Sequence, residues 1–236
     1  MKTRLTRAAE RGRKNLGWLD SRLTLSFGPY ADPERSGFGL LRVFNDDVVQ
    51  PGGGFGLHAH ANMEIISVML AGSMNHKDSL GYSEVVHQDW VQLMSAGAGL
   101  RHEEFNVGTD DVNFLQIWIE PKLQNIGPRY QRRQFPEAQR ANQLVPIVSN
   151  EEGTAHCWIN QNARLSLGYY TEPHTVAYAL KPLNKLLFLF VISGSVSVAG
   201  QEVHERDSLG IWETDHISIE AAAGTRFLLI ECPINH

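Results

Sequence analysis

The sequence predicts an all-β protein made of two jelly-roll-like β-barrels packed together, with few and short helices. Two observations carry this. Short β-branched and aromatic runs recur along the chain between clusters of Gly, Asp and Asn, and one run-turn-run pattern occurs twice in the same order. The length of 236 residues accommodates two compact units.

In chain order, the strand signals fall at residues 40–44, 64–70, 114–119, 186–192 and 227–231. The best helical candidate is residues 136–143, short and led by a proline suited to a first helical turn. The repeat reads Ile66-Ser-Val-Met-Leu-Ala-Gly72-Ser against Phe188-Leu-Phe-Val-Ile-Ser-Gly194-Ser, a hydrophobic strand, a glycine turn and a second strand in each case. Downstream, Asp89-Trp-Val-Gln-Leu-Met matches Asp207-Ser-Leu-Gly-Ile-Trp, and each is followed by a further apolar strand. The predicted division is therefore residues 1–147 and 148–236, with the boundary in the polar region from Val148 to Thr154.

Composition narrows the function classes. Hydrophobic residues make up 42% and charged residues 20%, which fits a globular chain with a packed core. A formal charge of −5 offers no extended positive field for phosphate contacts, so direct nucleic-acid binding is not expected. The basic stretch from Lys2 to Lys14 reads as a solvated terminal segment. Only Cys157 and Cys232 occur, with no Cys-x-x-Cys pair, and no apolar run reaches the ~18 residues of a membrane span. A cytoplasmic protein without a membrane partner is expected.

The chemistry-bearing segment is Gly52-Gly-Gly-Phe-Gly-Leu-His58-Ala-His60-Ala-Asn-Met-Glu64, followed by Gly99-Leu-Arg-His102-Glu-Glu104-Phe-Asn106. Residues two apart on a strand share a face, so His58 and His60 can aim both imidazoles into a barrel. Glu64 has the same parity, and His102 and Glu104 form a like pair on their own strand. Three imidazoles and up to two carboxylates then gather on one side, a donor set suited to a divalent transition metal with positions left for water or substrate. Fe(II) is the first expectation, and ligand type leaves Cu, Mn, Ni, Co or Zn open. Glu103 belongs on the opposite face. His76 is a candidate contact near the metal, and Trp18, Phe55 and Trp118 are candidate walls for an aromatic ligand.

These two motifs resemble the paired motifs of the cupins, and the flanking residues resemble the pirin family in particular. Gly17-Trp-Leu-Asp-Ser21, Phe38-Gly-Leu-Leu-Arg-Val-Phe-Asn-Asp-Asp47, Pro51-Gly-Gly-Gly-Phe55, His76-Lys-Asp-Ser79 and Met94-Ser-Ala-Gly-Ala-Gly-Leu-Arg-His102 carry the resemblance through most of the first 120 residues. It implies a bicupin fold and a metal held by His58, His60, His102 and Glu104. It also implies quercetin 2,3-dioxygenase activity, the opening of a flavonol's central ring by O2, with Glu104 or Glu64 as the catalytic proton acceptor. The other activity it implies is a metal-dependent, redox-sensing regulator that binds a protein partner. Ala59, Ala61-Asn62 and His87-Gln88-Asp89 depart from the family pattern without removing a ligand. Aligning the repeat on its glycine turns sets Leu180, Pro182 and Leu186 opposite His58, His60 and Glu64, and Glu220 opposite His102, so no metal site is expected in the second barrel. His174, His204 and His216 are expected at the surface.

Overall fold

The computed structural model describes residues 1–235. Strands β1 (Lys2–Thr6), β2 (Gly12–Asn15) and β3 (Leu19–Leu23) lead into a first series: β4 (Leu41–Val49), β5 (Gly54–His60), β6 (Glu64–Ala71), β7 (Ser73–Asp78), β8 (Ser83–His87), β9 (Trp90–Ser95), β10 (Leu100–Asn106) and β11 (Val112–Ile119). Then come β12 (Arg129–Gln134), the single-turn helix α1 (Glu137–Arg140), β13 (Gln143–Ser149) and β14 (Cys157–Trp158). A second series closes the chain: β15 (Arg164–Tyr170), β16 (His174–Ala179), β17 (Leu186–Ser193), β18 (Ser195–Val198), β19 (Gln201–His204), β20 (Ser208–Trp212), β21 (His216–Ala221) and β22 (Thr225–Cys232).

Sheet order shows the duplication directly. The first barrel has sheets ordered β12-β9-β6-β11-β4-β3-β2 and β5-β10-β7-β8, and the second has β1-β20-β17-β22-β15-β13-β14 and β16-β21-β18-β19. Adding eleven to each label from β4 to β11 converts one arrangement into the other. The glycine turns coincide as well. Gly72 and Gly194 have φ of 76° and 81°, and a Cβ on either would lie within 3 Å of the strand that follows in space, at Val112 and Thr225 respectively. Only glycine meets both demands.

The expected boundary at residues 147/148 falls inside β13, which pairs with β15 in the second barrel. The N-terminal segment also differs from expectation. Strand β1 adds to the edge of the second barrel, Lys2 opposite Trp212 through Thr6 opposite Ser208, in the place β12 takes on the first. Arg11 is buried, its guanidinium 3.4 Å from Asp46 and hydrogen-bonded to Thr24 Oγ1. The basic residues of this segment serve as edge-strand charges and a buried ion pair rather than as a solvated tail.

The two seven-stranded sheets face each other. Their facing side chains form one cluster, with Phe44, Ile66, Leu115 and Ile117 from the first barrel against Phe188, Phe190, Leu228 and Ile230 from the second. The second barrel's interior is filled by a single cluster that includes Val176, Leu189, Val203, Ile211 and Phe227. The first barrel's interior instead holds two smaller clusters, around Phe114 and around Met94, and a cavity. Among the described residues no helix is long and apolar enough to cross a membrane.

Candidate metal centre and its cavity

Strand alternation delivers the imidazoles to the first barrel's interior. His58 pairs directly with His102 across β5 and β10, and the ladder then slips so that Glu104 faces Phe55. The extra residue lies on β5, so Phe55 and His58 both line the cavity although they are three apart, while His102 and Glu104 face inward by the regular alternation of β10. The approach of β5 to β10 depends on Gly54, where a Cβ would lie 2.3 Å from the Glu104 carbonyl oxygen.

Ligand-type atoms of His58, His60 and His102 lie within 4.8 Å of one another, and those of His76, His102 and Glu104 form a second such group. The two groups share His102. Both of its ring nitrogens are buried without a hydrogen-bond partner, a desolvated arrangement worth about 1–3 kcal/mol of penalty unless something coordinates it. Burial pushes His60 and His102 down to about 4, with His58 adding to the effect on both and Glu104 opposing it, so both are neutral near pH 7. Neutral imidazole is the form that ligates metals. His58 Nδ1 lies 2.7 Å from the Gly56 carbonyl oxygen; donation there leaves Nε2 as the free lone pair. These residues fit a divalent metal ion.

A hydrogen-bonded chain holds Glu104. Gln92 Nε2 donates to its Oε1, and the Tyr130 hydroxyl donates to Gln92 Oε1 at 3.1 Å. On the other side, His76 Nδ1 lies 3.8 Å from Glu104 Oε1 while His76 Nε2 is 2.9 Å from Asp78 Oδ2. Asp78 Oδ1 in turn accepts from the backbone of Leu80 and Tyr82. Although burial opposes both charges, the pair stabilises each other: Glu104 is held below the usual carboxylate range and His76 above its own. Tyr130 stacks on His76 with centroids 4.3 Å apart. His76 thus touches the cluster from behind, through Glu104.

The cavity measures about 370 Å³, within the range of small-molecule sites. Trp18, Phe27, Phe55, Ile65 and Trp118 form its apolar walls, and Lys14, Asn45, Asp47 and Gln116 its polar ones, beside His58, His60, His102 and Glu104. The three aromatic walls expected from sequence are all present. Sequence reasoning missed Lys14, Asn45 and Asp47. The signal for the last two was an Asn-Asp-Asp run inside an otherwise apolar strand.

Glu64 is not at this site. It is 1% exposed and accepts hydrogen bonds from Ser95 Oγ at 2.7 Å and from the backbone of Asn160, a residue beyond β14. The chain reverses at Asn62 with φ of 49°, so the parity of β5 does not carry into β6. There Ile65 lines the cavity while Ile66 and Val68 join the seam between barrels, and Glu64 shares their face. Its expected catalytic role is corrected accordingly. Glu103 points away from the cluster as expected, 3.9 Å from Lys77.

In the second barrel, Tyr178 pairs with Ile217 where His58 pairs with His102, and Val198 pairs with Ile219 where His76 pairs with Glu104. The positions opposite His58 and His102 are therefore Tyr178 and Ile217, not Leu180 and Glu220, because the connection between β16 and β17 is longer than that between β5 and β6, and that between β20 and β21 is shorter than that between β9 and β10. Leu186 does begin β17 as Glu64 begins β6. All four substitutes belong to the hydrocarbon cluster that fills the barrel. His174, His204 and His216 are exposed.

A duplicated barrel pair with convergent imidazoles in one copy and hydrocarbon in the other defines a two-domain cupin with one metal-type site. The chain belongs to the pirin family: the family model described as Pirin matches residues 3–119, and that described as Quercetinase C-terminal cupin domain matches residues 146–232. It is 38% identical to a quercetin 2,3-dioxygenase of Escherichia coli K12, over 97% of this chain and 98% of the other. A pirin-like protein of Caulobacter vibrioides is 34% identical over 91% and 93% of the two chains. The crystal structure of a bacterial pirin from Escherichia coli in complex with nickel(II) superposes with a TM-score of 0.93 at 35% identity, covering 98% and 99%.

Proposed function

We propose that the protein is a metal-dependent dioxygenase that opens the central ring of a flavonol with O2, its metal, Fe(II) in the first instance, held by His58, His60, His102 and Glu104. One observation carries the reading: three imidazoles converge, one with both nitrogens unpartnered, on a cavity that Trp18, Phe27, Phe55 and Trp118 also wall. The similarity to proteins named quercetin 2,3-dioxygenase supports the substrate class. A metal ion there supplies Lewis acidity toward a hydroxyl-carbonyl pair and a centre able to engage O2.

The chain's own residues do the rest. Trp18 and Phe55, packed edge to face at 5.3 Å, and Trp118 bind a flat ring system and exclude water, which strengthens electrostatic effects inside the site. Gln92 and His76 fix Glu104 so that its orientation does not drift between turnovers.

The test is anaerobic loading with single first-row metals, then quercetin and oxygen. Loss of the flavonol absorbance with release of carbon monoxide is expected for at least one metal, and no conversion with any of them overturns the reading. His102→Ala is expected to retain the fold by circular dichroism while losing most bound metal by mass spectrometry and at least about 100-fold in turnover.

A further inference from the structure

The basic residues near the chain start have partners, with one exception. Lys2 pairs with Glu213, Arg7 with Asp207, Arg11 with Asp46 and Arg13 with Asp20, while Arg4 donates to the Glu34 carbonyl oxygen. Lys14 has no ion-pair or hydrogen-bond partner among the described residues, and it lines the cavity. Strand pairing explains its position. Lys14 stands opposite Ser21 on β3, and Ser21 stands opposite Asp47 on β4. Directly opposite residues share a face, so Lys14 lies on the inward face with Asp47, while its neighbour Arg13 turns outward to Asp20. Strand β2 is the edge of its sheet and Lys14 is half-buried, which sets the residue at the rim of the cavity. Its ammonium keeps exposed surface, unlike the unpartnered nitrogens of His102, so a ligand entering from solvent can reach it.

Lys14 also sets the sign of charge in the cavity. Glu104 and Asp47 are the acids lining it, and with both ionised they cancel a divalent ion held by neutral imidazoles. Lys14 then leaves one net positive charge. An anionic group entering an aromatic cavity loses hydration, and a cation with no internal partner offsets that loss. The protein's overall field works the other way: a formal charge of −5 repels anions at long range, so the attraction is local to the rim. Resting on the flavonol reading above, we infer that Lys14 is a specificity-determining residue that binds an anionic substituent of the substrate, so that the preferred substrate is an acidic aromatic compound rather than a neutral flavonol. The aromatic walls hold the ring system and the ammonium reads the substituent.

The experiment measures binding to the full-length protein loaded with Zn(II) under anaerobic conditions, by quenching of tryptophan fluorescence. The probes are quercetin and two monosulfonated forms, one with the sulfonate on the pendant ring and one with it on the fused ring. The wild type is expected to bind at least one sulfonate about tenfold more tightly than quercetin, the difference shrinking as salt is raised. Lys14→Met is expected to erase that preference, Lys14→Arg to keep it and Lys14→Glu to reverse it, with zinc content and circular dichroism as for the wild type. A structural role for Lys14 would not move this ratio between probes. A wild type that binds neither sulfonate better than quercetin, or a Lys14→Met protein that keeps the preference, overturns the assignment and leaves the dioxygenase reading to be judged by quercetin conversion. A wild type that binds none of the probes and converts no flavonol overturns both.

Discussion

At the scale of single residues, the cluster was legible where alternation alone decides orientation. His58 and His60, and likewise His102 and Glu104, are each two apart on one strand, and each pair faces inward. Glu64 was misread because a parity argument was carried across a chain reversal, which resets which face is even. Asp47 was hidden for another reason: an acid in an apolar strand signals a buried charge, but only the folded cavity shows that one oxygen lacks a partner. That oxygen has a thermodynamic signature. Burial raises the folded-state value to about 7, above the ordinary aspartate value of 3.8, so the folded protein retains a proton that the unfolded chain releases. Between these values stability falls as pH rises, by on the order of 4 kcal/mol once pH exceeds both. Below the unfolded value the penalty is absent. In metal-stripped protein, Asp47→Asn is therefore expected to gain in thermal midpoint relative to the wild type as pH is raised from 4.5 to 7.5. A constant difference across that range, by calorimetry, would contradict the raised value.

Among the elements, the β5–β10 pair sets the geometry of the cluster, and its closeness depends on Gly54. Gly54→Ala places a methyl group against the Glu104 carbonyl and Phe105, so β5 must move away from β10. The expected result is metal affinity weakened about tenfold or more, read by chelator competition, together with a stability loss of about 1–3 kcal/mol. A variant that binds metal as tightly as the wild type would show that the ladder tolerates the added carbon. The strands themselves were readable because β-branched runs and glycine turns are local signals. Their extents were less so: β4 continues to Val49 through Asn45, Asp46 and Asp47, polar residues that a propensity reading assigns to a turn. The helix predicted over 136–143 shrinks to Glu137–Arg140, since β13 claims the residues from Gln143 onward.

For the molecule as a whole, duplication was visible in the sequence because the two copies keep the same glycine turn. The exact partition was not, because β1 joins a sheet whose other strands begin more than a hundred residues later, and no local pattern announces such a partner. The seam makes the barrels interdependent. Phe44 lies 4.8 Å from both Phe188 and Phe190, centroid to centroid, and residues 1–147 alone would expose that surface to water. Expressed by themselves they are expected to aggregate or associate, read by size-exclusion chromatography and soluble yield; a monodisperse monomer would show that the first barrel is self-sufficient. The placement of β1 also has a consequence in time. Arg7, just past this strand, meets Asp207 across 200 residues of chain, so at about 5–20 residues per second β1 waits on the order of ten to forty seconds for its mate to be synthesised. Strand β1 is thus a clasp fastened only when the second barrel closes.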